Sequence, residues 1–385
     1  MTSYLNPLPA SMNGTLAKWA YISLSAFATL PGHFNRSIFE APWATTEVSN
    51  HGLAETLAYL NTTDFVAYDP KFFGIIGPDA SITHIQELPF QSHEAPCYIK
   101  DTNQLFFVEW GPPGGDNGTH SWQYLLDLDT KELNKITTEP PTYNAHGCVY
   151  FDHSLYVVTD GYSDEQTGQL VKIDPKTLKQ EVILNNYLLQ PFAGFNDLDI
   201  DRNGNFYLTD SKSGWGRSIT TSTPPTLPTV YFYSNSTSHL KPLHTTTGNA
   251  NGIALSPDGA TLYIPDTGVS EFRPSFKNPY GQRELWAFDV SHSGSVLSNK
   301  RLLSSPISYF WDGIRVSRHG WIFAGAGDGV DVVDPDTGFT LGSIRVGGGS
   351  NGAVSLAFGR NELWIVGRGG VWHVGGVRER LDRGW

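Results

Sequence analysis

Apolar and polar positions alternate along most of this chain with a period of two, in runs of five to eight residues broken by short polar turns. That is the signature of half-buried strands rather than of helices, whose apolar positions recur every three to four residues. The alternation also repeats. One unit reads FNDLDIDRNGNFYLTDS from Phe195, the next ANGIALSPDGATLYIPDTG from Ala250, and a third WDGIRVSRHGWIFAGAGDG from Trp311. Each places a polar residue before an alternating strand, then a turn with Asn-Gly, Asp-Gly or His-Gly, then a second apolar strand, which predicts a hairpin. Looser copies begin at His93 (HEAPCYIKDTNQLFFVEWG), Ala145 (AHGCVYFDHSLYVVTDG) and Ser350 (SNGAVSLAFGRNELWIVGRG).

Most units continue into further strands, as in QLVKIDPKTLKQEVIL from Gln169 and ELWAFDVSHSGSVL from Glu284. Four strands at a spacing of roughly 40–55 residues predict an all-β, six-bladed β-propeller. The last unit runs out of chain after VWHVGG, whereas Phe65–Leu88 contains strand-like material without a unit of its own. An N-terminal strand is therefore expected to complete the last blade and close the ring. Residues 1–60 are read as an irregular surface arm and residues 61–385 as the propeller.

Composition agrees with this pattern. Glycine (40) and proline (24) are abundant, aromatic residues reach 13% and charged residues only 17%, unlike a helical bundle. A net charge of −12 argues against nucleic acid and against anionic membrane surfaces as partners. The apolar run Leu16–Leu30 (LAKWAYISLSAFATL) is too short and too polar to span a membrane, but resembles part of a secretory signal. With N-x-S/T sequons at Asn13, Asn35, Asn61, Asn117 and Asn235, it points to the secretory pathway or the extracellular space. Cys97 and Cys148 form no zinc-type pattern; one disulfide and two buried thiols are both open.

In a propeller the first strand of each blade lines the axis, so equivalent residues converge. Aligning the six units gives the column Glu94, His146, Asn196, Asn251, Asp312 and Asn351, all polar. Two carboxylates and two amides make a candidate floor for a hard divalent cation, Ca²⁺ ahead of Mg²⁺ or Zn²⁺, with Glu94, Asn196, Asn251 and Asp312 as ligands. His146 would stand behind them and Asn351 would orient a water or the substrate. Asp197 or Asp199 would support the shell. Phe195, Tyr309, Phe310 and Trp311 flank the column and would wall a pocket for an organic substrate. His93, beside Glu94, is a candidate proton shuttle. No G-x-S-x-G, H-E-x-x-H or Walker pattern occurs.

From about Tyr68 to Val374 the chain resembles the gluconolactonase and regucalcin superfamily, most closely the fungal lactonohydrolases. The resemblance is carried by YDPKFFGIIG, HEAPCYI with LFFVEWG, LLNNYLLQPFAGFNDLDI with NGNFYLTD, NGIALSPDGATLYIPDTG, and DGIRV with GWIFAGAGDGV. It implies metal ligands at Glu94, Asn196, Asn251 and Asp312, with Asp312 also the base, and a metal-dependent hydrolase that opens a lactone ring. His93 or His146 would protonate the leaving alkoxide. The chain departs from the fungal pattern at His146–Cys148, where those enzymes carry Asn-Gly-Gly, and at Trp311, where they carry proline. A second reading is therefore a non-hydrolytic cyclase of the hetero-Diels–Alder type, using the same pocket on a larger aromatic guest. A third is a binding propeller whose axial site is structural.

Overall fold

The turns that punctuate the sequence set the strands. Gly204 and Gly259 sit at φ 77° and 72°, in the left-handed region that an L side chain disfavours, and each returns a first strand onto a second. A computed structural model describes residues 4–36, 43, 47–88, 90, 92–110, 121–222, 226–347 and 352–380, without the side chains of Ser92 and His93. Among these residues no helix is long and apolar enough to cross a membrane.

The hairpins extend into six antiparallel sheets. Blade one comprises Ser92–Ile99, Gln104–Trp110, Trp122–Asp127 and Leu133–Ile136; blade two Ala145–Phe151, Ser154–Thr159, Leu170–Ile173 and Gln180–Leu184. Blade three comprises Phe195–Ile200, Phe206–Asp210, Thr229–Tyr233 and Leu240–Thr245; blade four Ala254–Leu255, Thr261–Pro265, Leu285–Ser291 and Val296–Ser304. Blade five is built on Trp311–Val316, Ile322–Ala326, Gly329–Val333 and Thr340–Arg345. Blade six joins Gly352–Phe358, Glu362–Arg368 and Gly370–Gly375 to Ser81–Gln86. The molecule is a six-bladed propeller, closed by pairing an N-terminal strand antiparallel to Gly370–Gly375. An apolar cluster fills each gap between neighbouring blades, such as Cys97, Phe106, Val108 and Val157 between blades one and two.

The N-terminal part differs from expectation in three ways. Only Ser81–Gln86 completes the last blade; Phe65–Ala67 instead adds to the outer strand of blade five, and Trp19–Tyr21 pairs in parallel beyond it. Between them, Lys71–Ile76 is a helix, because Phe72, Phe73, Ile75 and Ile76 bury one continuous side and Gly77 at φ 88° ends it. The first sixty residues are not wholly irregular, since His51–Leu60 is a helix capped by Asn50, whose side chain accepts from Leu53 N. Arg345 fastens this region to blade five. Buried, it pairs with Asp328 at 2.8 Å and donates to the carbonyls of Leu60 (2.7 Å) and Thr63 (2.9 Å). The apolarity of the Leu16–Leu30 run is used inside the protein: Trp19 stacks on Phe65 at 4.5 Å, and Ala20 and Ile22 are buried.

Candidate active site

The first strands deliver the polar column to the axis through a shared irregularity. Pairing with the second strand slips between Glu94 and Cys97, Ala145 and Gly147, Phe195 and Leu198, Trp311 and Ile314, and Ala353 and Ser355. A bulge at this point breaks the simple alternation and re-aims the side chains around it. Glycines beside the column let the inner strands close up: a Cβ on Gly147 would lie 2.7 Å from the Cα of Asp197, and one on Gly252 would lie 2.4 Å from the carbonyl oxygen of Asp312. Blade four keeps only a two-residue inner strand, and side chains of blade three pair with its backbone N–H and carbonyl groups. Asp199 accepts from Leu255 N at 2.7 Å, and Thr209 donates to the Asn251 carbonyl at 2.7 Å.

The result is a compact polar floor. Asn196 Nδ2 lies 3.0 Å from His146 Nε2, with the direction of that contact set by the protonation of the ring, and Glu94 Oε1 lies 3.6 Å from the same nitrogen. Asn251 Nδ2 donates to Thr267 Oγ1 at 3.3 Å. Glu94, Asn196, Asn251 and His146 are buried, and Asp312 keeps some solvent access. Burial raises the pKa of Glu94, and burial followed by the charge of Glu94 raises that of Asp312 well above the carboxylate range. Two carboxylates that oppose each other's ionisation, beside two amide oxygens, form a donor set that suits a hard cation. Among the described residues no three His, Cys, Asp or Glu side chains cluster so as to hold a metal ion.

Behind the floor, His146 Nδ1 lies 3.1 Å from Asp160 Oδ2, close but out of line for a hydrogen bond. Burial opposes the charged ring, yet Asp160 and then Glu94 outweigh it and hold the pKa up at about 9. A divalent charge at Glu94 would act in the opposite sense. Trp110 sets its ring edge-on to His146, with centroids 4.4 Å apart.

Several expected residues lie elsewhere. Trp311 and Phe195 are fully buried in the packing between blades and do not wall an open pocket. Trp311 donates to Asp331 at 2.8 Å, and Phe195 packs on Phe192 at 4.4 Å. Tyr309 and Phe310 remain partly exposed, with centroids 4.2 Å apart, on a loop whose Pro306, Ser308 and Tyr309 carbonyls are held by Arg283. The Tyr309 phenol is pushed upward by burial, with Asp312 adding in the same direction, which sets it near the floor. The His93 side chain and Asn351 lie outside the described residues.

Asp197 and Asp199 have partners of their own in other blades, Arg315 and Leu255 N. Asp197 Oδ2 pairs with Arg315 Nη1 at 2.8 Å, and Arg315 Nη2 reaches the Cys148 carbonyl at 3.3 Å. Arg315 thus runs from blade five to blades two and three, across the axis beneath the floor. On its far side lies a cavity of about 690 Å³, lined by Cys97, Tyr98, Cys148, Tyr150, Phe358 and Arg315 among others. Cys97 and Cys148 are free, buried thiols; burial and then the neighbouring Cys97 push Cys148 well up.

Asp160, Trp110 and Arg217 were not singled out from the sequence, although a signal exists. The second strands of blades two, three and four end in VVTD, FYLTD and YIPD, a second column of Asp160, Asp210 and Asp266.

A closed six-bladed ring whose acidic and amide side chains meet on the axis defines a propeller with a polar axial site. The chain belongs to the SMP-30/gluconolactonase/LRE-like family, whose region matches residues 93–367. It is 30% identical over 365 residues to the lactonohydrolase oryL of Aspergillus oryzae, covering 89% of this chain and 81% of that protein. Among solved structures, a gluconolactonase from Xanthomonas campestris superposes with a TM-score of 0.66 at 21% identity, covering 80% of this chain and 93% of the other. Regucalcin from Agrobacterium tumefaciens, described as a calcium-binding protein, superposes with a TM-score of 0.55 at 15% identity, covering 77% and 94%.

Proposed function

We propose that the protein hydrolyses a lactone at the axial floor, with a divalent cation, Ca²⁺ first, held by Glu94, Asn196, Asn251 and Asp312. The observation that carries this is the pair of Glu94, buried, and Asp312, partly exposed, each with a raised pKa, beside two amides in a chain related to a lactonohydrolase. When bound, the cation would polarise the lactone carbonyl and favour charge on its oxygen. Asp312, the floor carboxylate that keeps solvent access, would take the proton of the attacking water. Glu94 and the two amides fix the floor's charge and shape. His146, with Asp160 and Trp110 beside it, would hand a proton to the departing alkoxide. Tyr309 and Phe310 form the apolar rim against which the lactone ring would rest.

The test is proton release over a panel of sugar and small aliphatic lactones, with and without chelator. Chelation is expected to stop the reaction, and Asp312→Asn to lower kcat by at least about 100-fold while the melting profile persists. Full activity in Asp312→Asn would remove Asp312 as the base. Silence of the wild type across the panel would instead favour the cyclase reading, which needs no activated water. That reading has lost two of its aromatic wall residues, Phe195 and Trp311, to the core.

A further inference from the structure

Asp160 is the member of the second aspartate column that departs from its siblings. Asp210 accepts from Ala193 N (3.2 Å) and Gly194 N (2.9 Å), and Asp266 from Asn249 N (2.8 Å), each pinning the segment that leads into its own blade's first strand. In blade two the side chain of Asn144 ties the equivalent segment instead, accepting from Ser121 N and donating to the Gly161 carbonyl. Among the described residues the Asp160 carboxylate accepts no backbone N–H. Fully buried, it accepts from Ser213 Oγ and, at 2.9 Å, from Arg217 Nη1, and it faces His146.

Arg217 is held on a second side as well. Its Cζ lies 3.6 Å from the centroid of the Trp110 ring, the contact distance of stacked planes, and Trp110 itself touches His146. A continuous wall therefore climbs from the floor through His146 to Trp110 and Asp160, and ends in a guanidinium. Among the described residues Nη1 is the only nitrogen of that guanidinium with a hydrogen-bond partner, and the side chain keeps 16% exposure. A planar fork fixed by a buried carboxylate and an indole, with other donors uncommitted, is preset for a second carboxylate. In a chain of net charge −12, an anionic substrate needs such a local cation to enter.

We propose that Arg217 is a specificity-determining residue that selects lactones carrying a carboxylate, with the free edge of its guanidinium gripping that group while the ring carbonyl rests over Glu94 and Asp312. The substrate class rests on the lactonase reading; the recognition of an anionic ring compound by Arg217 does not. Asp160 is the positioning residue that holds Arg217.

The experiment compares 5-oxotetrahydrofuran-2-carboxylate with its methyl ester as substrates of the full chain. In parallel, calorimetry follows binding of the unhydrolysable 3-oxocyclopentanecarboxylate and its methyl ester. The wild type is expected to prefer the acid in both assays. Arg217→Gln should lower the acid-to-ester ratio of kcat/KM by about tenfold or more, through KM rather than kcat, and Arg217→Lys should restore only part of it. An unchanged ratio in a folded Arg217→Gln protein overturns the proposal. If neither variant folds, the wild-type acid-to-ester preference decides, and a preference for the ester overturns it. Arg217-dependent binding of the keto acid without turnover of any lactone would sustain the recognition and sink the hydrolase. Turnover without preference for the acid would do the reverse, and absence of both binding and turnover would overturn both.

Discussion

At the scale of single residues, most of this molecule's charge chemistry is concentrated on the axis. Arg315 illustrates how strongly position determines cost. Its guanidinium and the Asp197 carboxylate are both buried, so each is tolerable only because of the other. Arg315→Met is expected to lose about 3–5 kcal/mol in denaturant unfolding, and adding Asp197→Asn to recover part of that, because the second change removes the stranded charge. Additive losses in the double variant would mean that the pair is not a unit. The column was readable from sequence because one polar residue recurs near the start of each repeated unit, and Glu94, His146, Asn196, Asn251 and Asp312 lie at or just before the inner strands. The roles of its neighbours were not. Phe195 and Trp311 adjoin the column, and only the local slips in strand pairing show that they turn into the core while Asn196 and Asp312 turn to the axis. Asp197 was legible as a carboxylate near the site, but its partner Arg315 is 118 residues away, and no spacing rule joins them.

At the scale of elements, the blades depend on what fills the seams between them. Six inter-blade gaps carry apolar clusters, and strands inside the blades, such as Ser154–Thr159 and Phe206–Asp210, are buried on both faces, more than half-buried alternation anticipates. The outer edge is different. His244, on the outer strand of blade three, packs against Phe288 of blade four at 5.0 Å, and Lys300 Nζ donates to its Nε2 at 3.4 Å. Burial first and then Lys300 lower its pKa to about 4, with Asp266 opposing. Because an unfolded histidine titrates near 6.5, the unfolded chain binds the extra proton between pH 6.5 and about 4. The contribution of this group to stability is therefore whole above pH 6.5 and declines as pH falls towards 4. His244→Phe should flatten that part of the melting-temperature profile; an unaltered slope would place the acid sensitivity elsewhere. Helix Lys71–Ile76 shows the limit of periodicity as a guide. Six residues are too few to separate a buried helix from a buried strand by pattern alone, and its identity is set by packing against blade five.

At the scale of the whole molecule, ring closure was legible because the last unit was visibly incomplete, while the destination of the remaining N-terminal strands was not. A short apolar run such as Phe65–Ala67 is compatible with any open sheet edge, and it extends blade five because Arg345 and the helix before it hold it there. The Arg315 crossing has a consequence at this scale. It spans the axis between the polar floor and the cavity of about 690 Å³ on the far side, and so narrows any passage straight through the ring. If a lactone is opened at the floor as proposed, the ring-opened acid is expected to leave on the side its precursor entered, past the same rim. Progress curves should consequently bend early, with added product acting as a competitive inhibitor, and a purely non-competitive pattern would point to a second exit. A propeller built as a tube thus behaves as a cup.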